Sequence, residues 1–445
     1  MKFLPLLLLL GTLVLSACGG DRPFVRPEPR GKIQPSTEHP GYWQWEDGET
    51  VLLLGGADND NLFQAHNYEQ QLNAIQEIGG NFVRCELHNR YDSDLPALRL
   101  DSVSGAYRLN DAYFTRLDGF LTAAENRGIV VQLQLFSLQD WVVETFPQSS
   151  FGLAWRDMEQ PEVPVRRPID TLVPPVVREM VYAISDGQTE GNVLLELQQA
   201  FVDRVLRISF SHGNVIYDLE YYWAISEGVG KYWKEYLYRA AARSNVTIYV
   251  GCKEDGEEDV RYAFNDYSVL TALPPGQLPD YNSSYGDIVH HARVSRTPDF
   301  PSPNGNVFAF HRALLMHSAA TAYDRAPYGL GLSADARTSI RAIRTIERDG
   351  KFWDLTLDKD LLVEIPYGAL AARTEEGTTL IYLSGEDEVS IRLPAGNSGS
   401  HRVSVIGYLG TRRSERLDPP YDSILTLRSN EPRGGWLLLE PLPEN

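Results

Sequence analysis

Hydrophobic and polar positions along the chain follow two periods that take turns. "TVLLLGG" (Thr50–Gly56) is an apolar run closed by glycines, and the following "NYEQQLNAIQEIGG" puts Leu72, Ile75 and Ile78 on one helical face. "NFVRCEL" reads as a strand, "FTRLDGFLTAAENRG" as a helix and "IVVQLQLF" as a strand. "NVLLELQQAFVDRVLRISF" is a long helix feeding the strand "NVIYDLEYYW", and "KYWKEYLYRAAARSN" with "VTIYVGCK" repeats the unit. "YSVLTALP" and "DIVHHARVS" are weaker strands; "FAFHRALLMHSAATAYDR" reads as a helix, "YGLGLS" as the eighth strand and "ADARTSIRAIRTIERD" as the last helix. Eight strands alternating with helices predict an α/β chain whose residues 41–350 form a (β/α)8 TIM barrel. After about Gly350 the helical period stops. "TTLIYLSG", "VSIRLPAG", "RVSVIGYLG", "ILTLRSN" and "GWLLLEPL" are short runs between Gly, Ser and Asn turns, which predicts a C-terminal antiparallel β-sandwich over 351–445.

The N-terminus changes the picture of where this fold works. Met1-Lys2, the apolar "LPLLLLLGTLVL" and "LSAC" ending at Cys18 have the shape of a secretory signal over 1–18, too short to span a bilayer. The "LSAC" ending resembles a bacterial lipobox, so Cys18 is the expected lipidation site and the expected location is the bacterial envelope, at the outer membrane or cell surface. Residues 19–40, rich in Pro, Gly, Arg and Ser, suit a flexible tether. A formal charge of −19 argues against nucleic acid as a partner. A basic groove within the acidic shell stays open, with "VRRP" (Val165–Pro168) and "HHARVSR" (His290–Arg296) as its candidate lining. No Cys/His cluster has metal-ligand spacing and no glycine loop is built to cradle a phosphate, so no cofactor is expected. Cys85 and Cys252 carry no spacing that suggests a disulfide.

In such a barrel the working face is the C-terminal end of the strands. The first strand ends in "GGADNDN", offering Asp58, Asn59, Asp60 and Asn61, and the second delivers Arg84, Glu86 and His88. The third leads to Gln134, Asp140 and Trp141; the fourth carries Asp218, Glu220 and Tyr222 on one phase of the two-residue period, with Trp223 after them. Asp299 follows the seventh. A mouth of carboxylates and aromatics suits glycoside hydrolysis, in which one carboxyl protonates the leaving oxygen and another attacks or activates water. Trp141 and Trp155 lie in the long insertion after the third strand, where a sugar platform is expected; Tyr222 and Trp223 offer another. Of the adjacent His290 and His291, strand alternation lets at most one enter the barrel.

The stretches "HPGYWQWEDGETVLLLGGADNDNLFQ", "GGNFVRCEL" and "YGLGLSADARTSIRAIR" resemble a family of secreted bacterial proteins assigned as glycoside hydrolases. These pair a cellulase-like barrel with a small C-terminal β domain often labelled collagen-binding, and the resemblance runs from about His39 to the C-terminus. It implies hydrolysis of O-glycosyl bonds in poly- or oligosaccharides, with Arg84 orienting the nucleophile and Asp58 and Asp60 near the terminal sugar. The chain departs from the pattern at two places. Tyr221-Tyr222-Trp223 stands where the family carries Asn-Glu at the end of strand four, and "DIVHHARVSRTPDF" holds no glutamate for strand seven. Glu220, one inward step deeper, is then the candidate acid, with Asp58, Asp60 or Asp299 as partner; its alternative role is a buried ion pair with Arg84. The competing function is a glycan-binding lipoprotein that keeps the barrel without the chemistry.

Overall fold

The computed structural model of the chain describes residues 30–87, 95–137, 140–155, 162–219, 227–253, 262–266, 288–295, 305–358, 360–363, 369–383, 388–392, 399–418, 424–429, 431 and 434–443. Three short antiparallel strands come first: β1 (Ile33–Pro35), β2 (Trp43–Trp45) and β3 (Thr50–Val51). β1 lies inside the stretch whose composition predicts a tether. Pairing with the buried, aromatic β2 fixes it, and Trp43 is wholly buried.

The barrel begins with β4 (Leu53–Gly56), α1 (Tyr68–Glu77) and β5 (Phe82–Glu86). A hairpin, β6 (Leu98–Leu100) and β7 (Tyr107–Leu109), precedes α2 (Asp111–Glu125) and β8 (Val130–Gln134). Helices α3 (Ser150–Trp155) and α4 (Pro175–Ser185) occupy the insertion, and α5 (Val193–Ser209) returns to β9 (Val215–Leu219). Then come α6 (Glu227–Arg243), β10 (Val250–Lys253), β11 (Phe264–Asp266), β12 (Ile288–Val294), α7 (Gly305–Leu315), β13 (Ser318–Tyr323) and α8 (Ala334–Ile346). β4, β5, β8, β9, β10, β11, β12 and β13 run parallel, and β13 pairs back onto β4 to close the barrel. Side chains start three of its helices: Asn110 accepts from the Ala112 N–H, Asn192 from Leu195 and Ser333 from Ala336. Each cap satisfies an N–H the helix leaves without a partner.

Two strands lie elsewhere than the periodicity predicts. The sixth is Phe264–Asp266, ahead of "YSVLTALP", which itself falls outside the described residues. The eighth is Ser318–Tyr323, whereas "YGLGLS" is the loop beyond it. "SAATAY" is rich in small helix-forming residues and so reads as more of α7. The helix ends at Leu315, and His317 takes a left-handed φ of 61° that turns the chain into the strand. Ala320 pairs with His290 and with Leu53, where a small side chain suits the crowded barrel interior.

The C-terminal domain holds β14 (Thr356–Leu357), β15 (Leu370–Arg373), β16 (Thr379–Leu383), β17 (Glu388–Arg392), β18 (His401–Gly407), β19 (Arg412–Leu417), β20 (Ile424–Arg428) and β21 (Gly435–Pro441). Six form one antiparallel sheet in the order β14-β15-β16-β21-β18-β19, and β17 pairs with β20 in a second. Strand alternation gives the large sheet two buried faces. Ile381, Leu383, Leu437 and Leu439 meet Val389 and Ile391 of the small sheet. Tyr382, Trp436 and Leu438 instead join the barrel core, where Tyr382 stacks on Phe308 of α7 at 6.0 Å.

Candidate active site at the C-terminal end of the barrel

Residues paired across parallel strands point the same way, so the register identifies the side chains facing inward. Arg84 pairs with Gln132, Gln134 with Asp218, and Asp266 with His290. Beneath them the antiparallel β2 plugs the N-terminal end of the barrel. The Trp43 indole lies 5.9 Å from the Phe264 ring, and its Nε1–H donates to His290 Nε2 at 2.7 Å. Since His290 Nε2 accepts, Nδ1 carries the hydrogen and donates to Gln132 Oε1 at 2.8 Å. Burial pushes the His290 pKa down to about 3 against the pull of Asp266, so the ring is neutral. The Gln132 amide then spends both its hydrogens above: Nε2 donates to Asp218 Oδ2 at 2.9 Å and to Asp266 Oδ2 at 2.8 Å. The Ala292 N–H donates to Asp266 Oδ1 at 3.2 Å. Both aspartates are buried, 3% and 1% exposed, and both stand at strand ends: Asp266 is the last residue of β11 and Asp218 the penultimate one of β9.

Charge continues toward the rim. Arg84 donates to Glu86 Oε1 at 3.0 Å, with both side chains buried. The Glu86 N–H donates to the Asp60 carbonyl at 2.8 Å, and the Asp60 carboxylate is held by Arg325 Nε at 2.5 Å. Arg325 lies over the ring of the exposed Tyr328, and next to it Asp324 accepts from Ser295 at 2.8 Å and faces Arg293 at 3.7 Å. First, second, seventh and eighth strands are thus joined around the opening by ion pairs and hydrogen bonds.

Other residues of interest are placed as follows. Asp58 is exposed, and its Oδ1 accepts the Leu332 N–H at 2.8 Å, tying the first strand's loop to the loop after β13. Gly331 makes this approach possible: a Cβ there would stand 2.4 Å from Asp58 Oδ1, and its φ is +50°. Asn59 accepts from Gln71, and Asn61 precedes a short 3-10 turn without capping it. Trp141 is 4% exposed, in the core against Phe136 at 5.4 Å. Trp155 is buried in the same core. The insertion spends its apolar surface, both rings included, on covering the barrel. Arg166 and Arg167 of "VRRP" lie against Tyr182 at 4.2 and 5.6 Å, and Arg167 pairs with Asp170. Tyr217 faces outward, bonded to Ser209 of α5. His290 and His291 are both buried; β12 departs from regular pairing around them, and His291 Nδ1 meets Ser318 Oγ at 2.8 Å. Cys85 and Cys252 are buried free thiols. Cys18, His88, Glu220, Tyr221, Tyr222, Trp223 and Asp299 lie outside the described residues, and among those described no group of His, Cys, Asp and Glu has the makings of a metal site.

Sequence reasoning missed Gln132, Asp266, Asp324 and Arg325. Gln132 had a signal, as a polar residue in the inward phase of "VVQLQ". The other three follow from the misplaced sixth and eighth strands.

No protein-family model and no curated protein matches the chain. Solved structures do. One described as a glycoside hydrolase aligns over 95% of this chain and 99% of its own, with a TM-score of 0.59 and 10% identity. A glycoside hydrolase family 5 protein from Bacteroides vulgatus aligns over 93% of this chain and 95% of its own, with a TM-score of 0.58 and 13% identity. At such identities the likeness establishes the shared fold, a (β/α)8 barrel followed by a C-terminal β domain.

Proposed function

We propose that the protein is a glycoside hydrolase acting on poly- or oligosaccharides at a bacterial envelope. One observation carries this reading: Arg84, Glu86, Asp218 and Asp266 are buried together at the C-terminal end of the barrel. Buried charges are expensive for a fold that apolar residues would hold as well, and this is the end where barrels do chemistry. That aligned structures over nearly the whole chain are described as glycoside hydrolases points to carbohydrate as the substrate class. "LSAC" adds an anchor at Cys18, with Cys18→Ser moving the protein from the membrane fraction to the soluble one.

The competing function is glycan binding without turnover, favoured by Tyr221-Tyr222-Trp223 in place of the Asn-Glu of cellulase-like relatives. A screen of the protein against extracellular polysaccharides and their oligosaccharides, recording both affinity and product release, separates the two. Release that falls with Arg84→Met supports hydrolysis. Affinity without release from any glycan establishes the binder.

A further inference from the structure

Gln132 brings two carboxylates together across the barrel. An amide nitrogen directs its two hydrogens about 120° apart, so the two Oδ2 atoms it holds stand roughly 5 Å from each other. Carboxyl groups about 5–5.5 Å apart are the spacing of retaining glycosidases, whereas inverting enzymes keep roughly 6.5–9.5 Å to admit a water. We infer that Asp218 and Asp266, on the fourth and sixth barrel strands, are the catalytic carboxyl pair of a retaining hydrolase, with Gln132 as their positioning residue. This rests on the hydrolase reading and adds to it the residues and the stereochemical outcome. It also supplies a pair where the strand-four Asn-Glu and the strand-seven glutamate are missing.

The hydrogen bonds divide the roles. Asp266 accepts on both oxygens, from Gln132 and from the Ala292 N–H, and donors on both sides favour the ionised form. In this pair Asp266 is the nucleophile. Two buried carboxylates this close repel, which favours a proton on the other, and Asp218 is the acid. Asp266 attacks the anomeric carbon as the glycosidic C–O bond breaks, and the leaving oxygen takes the Asp218 proton. Water then gives a proton to the Asp218 carboxylate while its oxygen displaces the Asp266 ester at the anomeric carbon, freeing the sugar and restoring both groups. Trp43 and His290 act from below, fixing which way the Gln132 amide faces.

The test uses a panel of 2,4-dinitrophenyl α- and β-glycosides, the matching alkyl glycosides and their 2-deoxy-2-fluoro analogues, with unchanged thermal unfolding required of each variant. Wild type should release product with retained anomeric configuration, and the fluoro analogue should label Asp266 in peptide mass spectra. Asp218→Asn should lose roughly 10²–10⁴ in kcat/KM on alkyl glycosides but far less on dinitrophenyl ones, whose leaving group needs no proton. Asp266→Ala should be inactive and regain turnover with azide. Gln132→Met should lower kcat more than it raises KM, as a positioning residue would. Turnover by wild type with normal activity in both aspartate variants, inverted product, or the acid defect appearing in Glu220→Gln instead, overturns the pair and leaves the hydrolase reading intact. A wild type that binds glycans and turns over nothing on the panel removes both.

Discussion

Arginine–carboxylate pairs occur in both domains, and one pair from each, Arg428–Glu388 and Arg84–Glu86, shows two ways of building them. In the C-terminal sandwich the Arg428–Glu388 pair stands in solvent, its side chains 70% and 53% exposed. In the barrel the Arg84–Glu86 side chains are 6% and 5% exposed. A surface pair contributes little because water already solvates both ions, whereas a buried pair must offset the loss of that water. The exposed Arg428–Glu388 pair therefore adds little to stability. The barrel buries Arg84 and Glu86 at the C-terminal end of a strand, where apolar residues would serve folding as well. The difference separates charge that decorates a fold from charge whose lost hydration must be offset inside it.

The strongest way to break the comparison is to strand one partner of the buried pair. Glu86→Ala takes the carboxylate from the buried Arg84 guanidinium and should cost about 3–5 kcal/mol in urea unfolding. Replacing both, Arg84→Met with Glu86→Leu, should restore stability to near wild type while glycan turnover or affinity stays lost. Stability that falls with the double variant as far as with the single one would mean the pair serves the fold.

Next in size is the support beneath the site. Trp43→Phe keeps an aromatic plug and removes the hydrogen bond to His290 Nε2, so a buried acceptor loses its donor. Chemical denaturation should show a loss of about 1–3 kcal/mol.

A third test concerns a half-buried contact on the outside of the barrel. His212 meets Glu125 at 3.0 Å and Asp118 at 3.2 Å. Burial opposes its charge, but the two carboxylates prevail and its pKa is raised. A group whose folded pKa is raised stabilises fully below its unfolded value of about 6.5, and that stabilisation is lost as pH rises through the folded value. Melting temperatures should therefore fall across this window in wild type and stay flatter in His212→Gln.

The smallest effect belongs to the sandwich surface. Arg428→Ala should change stability by less than about 1 kcal/mol. A loss as large as that of Glu86→Ala would erase the contrast between the domains.

The barrel and sandwich were legible because burial imposes periods. Leu72, Ile75 and Ile78 mark the covered face of a helix and its end, and "VVQLQ" is buried on both faces as a barrel strand must be. Composition also marked the change of architecture near Gly350, since turn residues every few positions leave no room for helices. Arg84, Asp60 and Glu86 were assigned to strand ends for the same reason, and the structure buries all three there. The misses were local ambiguities that only closure resolves. "SAATAY" has helix-forming composition, and it becomes a strand because β12 and β4 each need a partner. Three-residue β11 is too short to show a period, so Asp266 gave no sign of facing inward. Trp141 and Trp155 were read as lying in a cleft-forming insertion, and their burial in its core could not be seen from the sequence. Sequence determines what each segment is able to bury, because that depends on neighbours a few residues away. The meeting of Trp43, Gln132, Asp218, Asp266 and His290 joins positions up to 247 residues apart, and only closure of the barrel brings them within hydrogen-bonding distance.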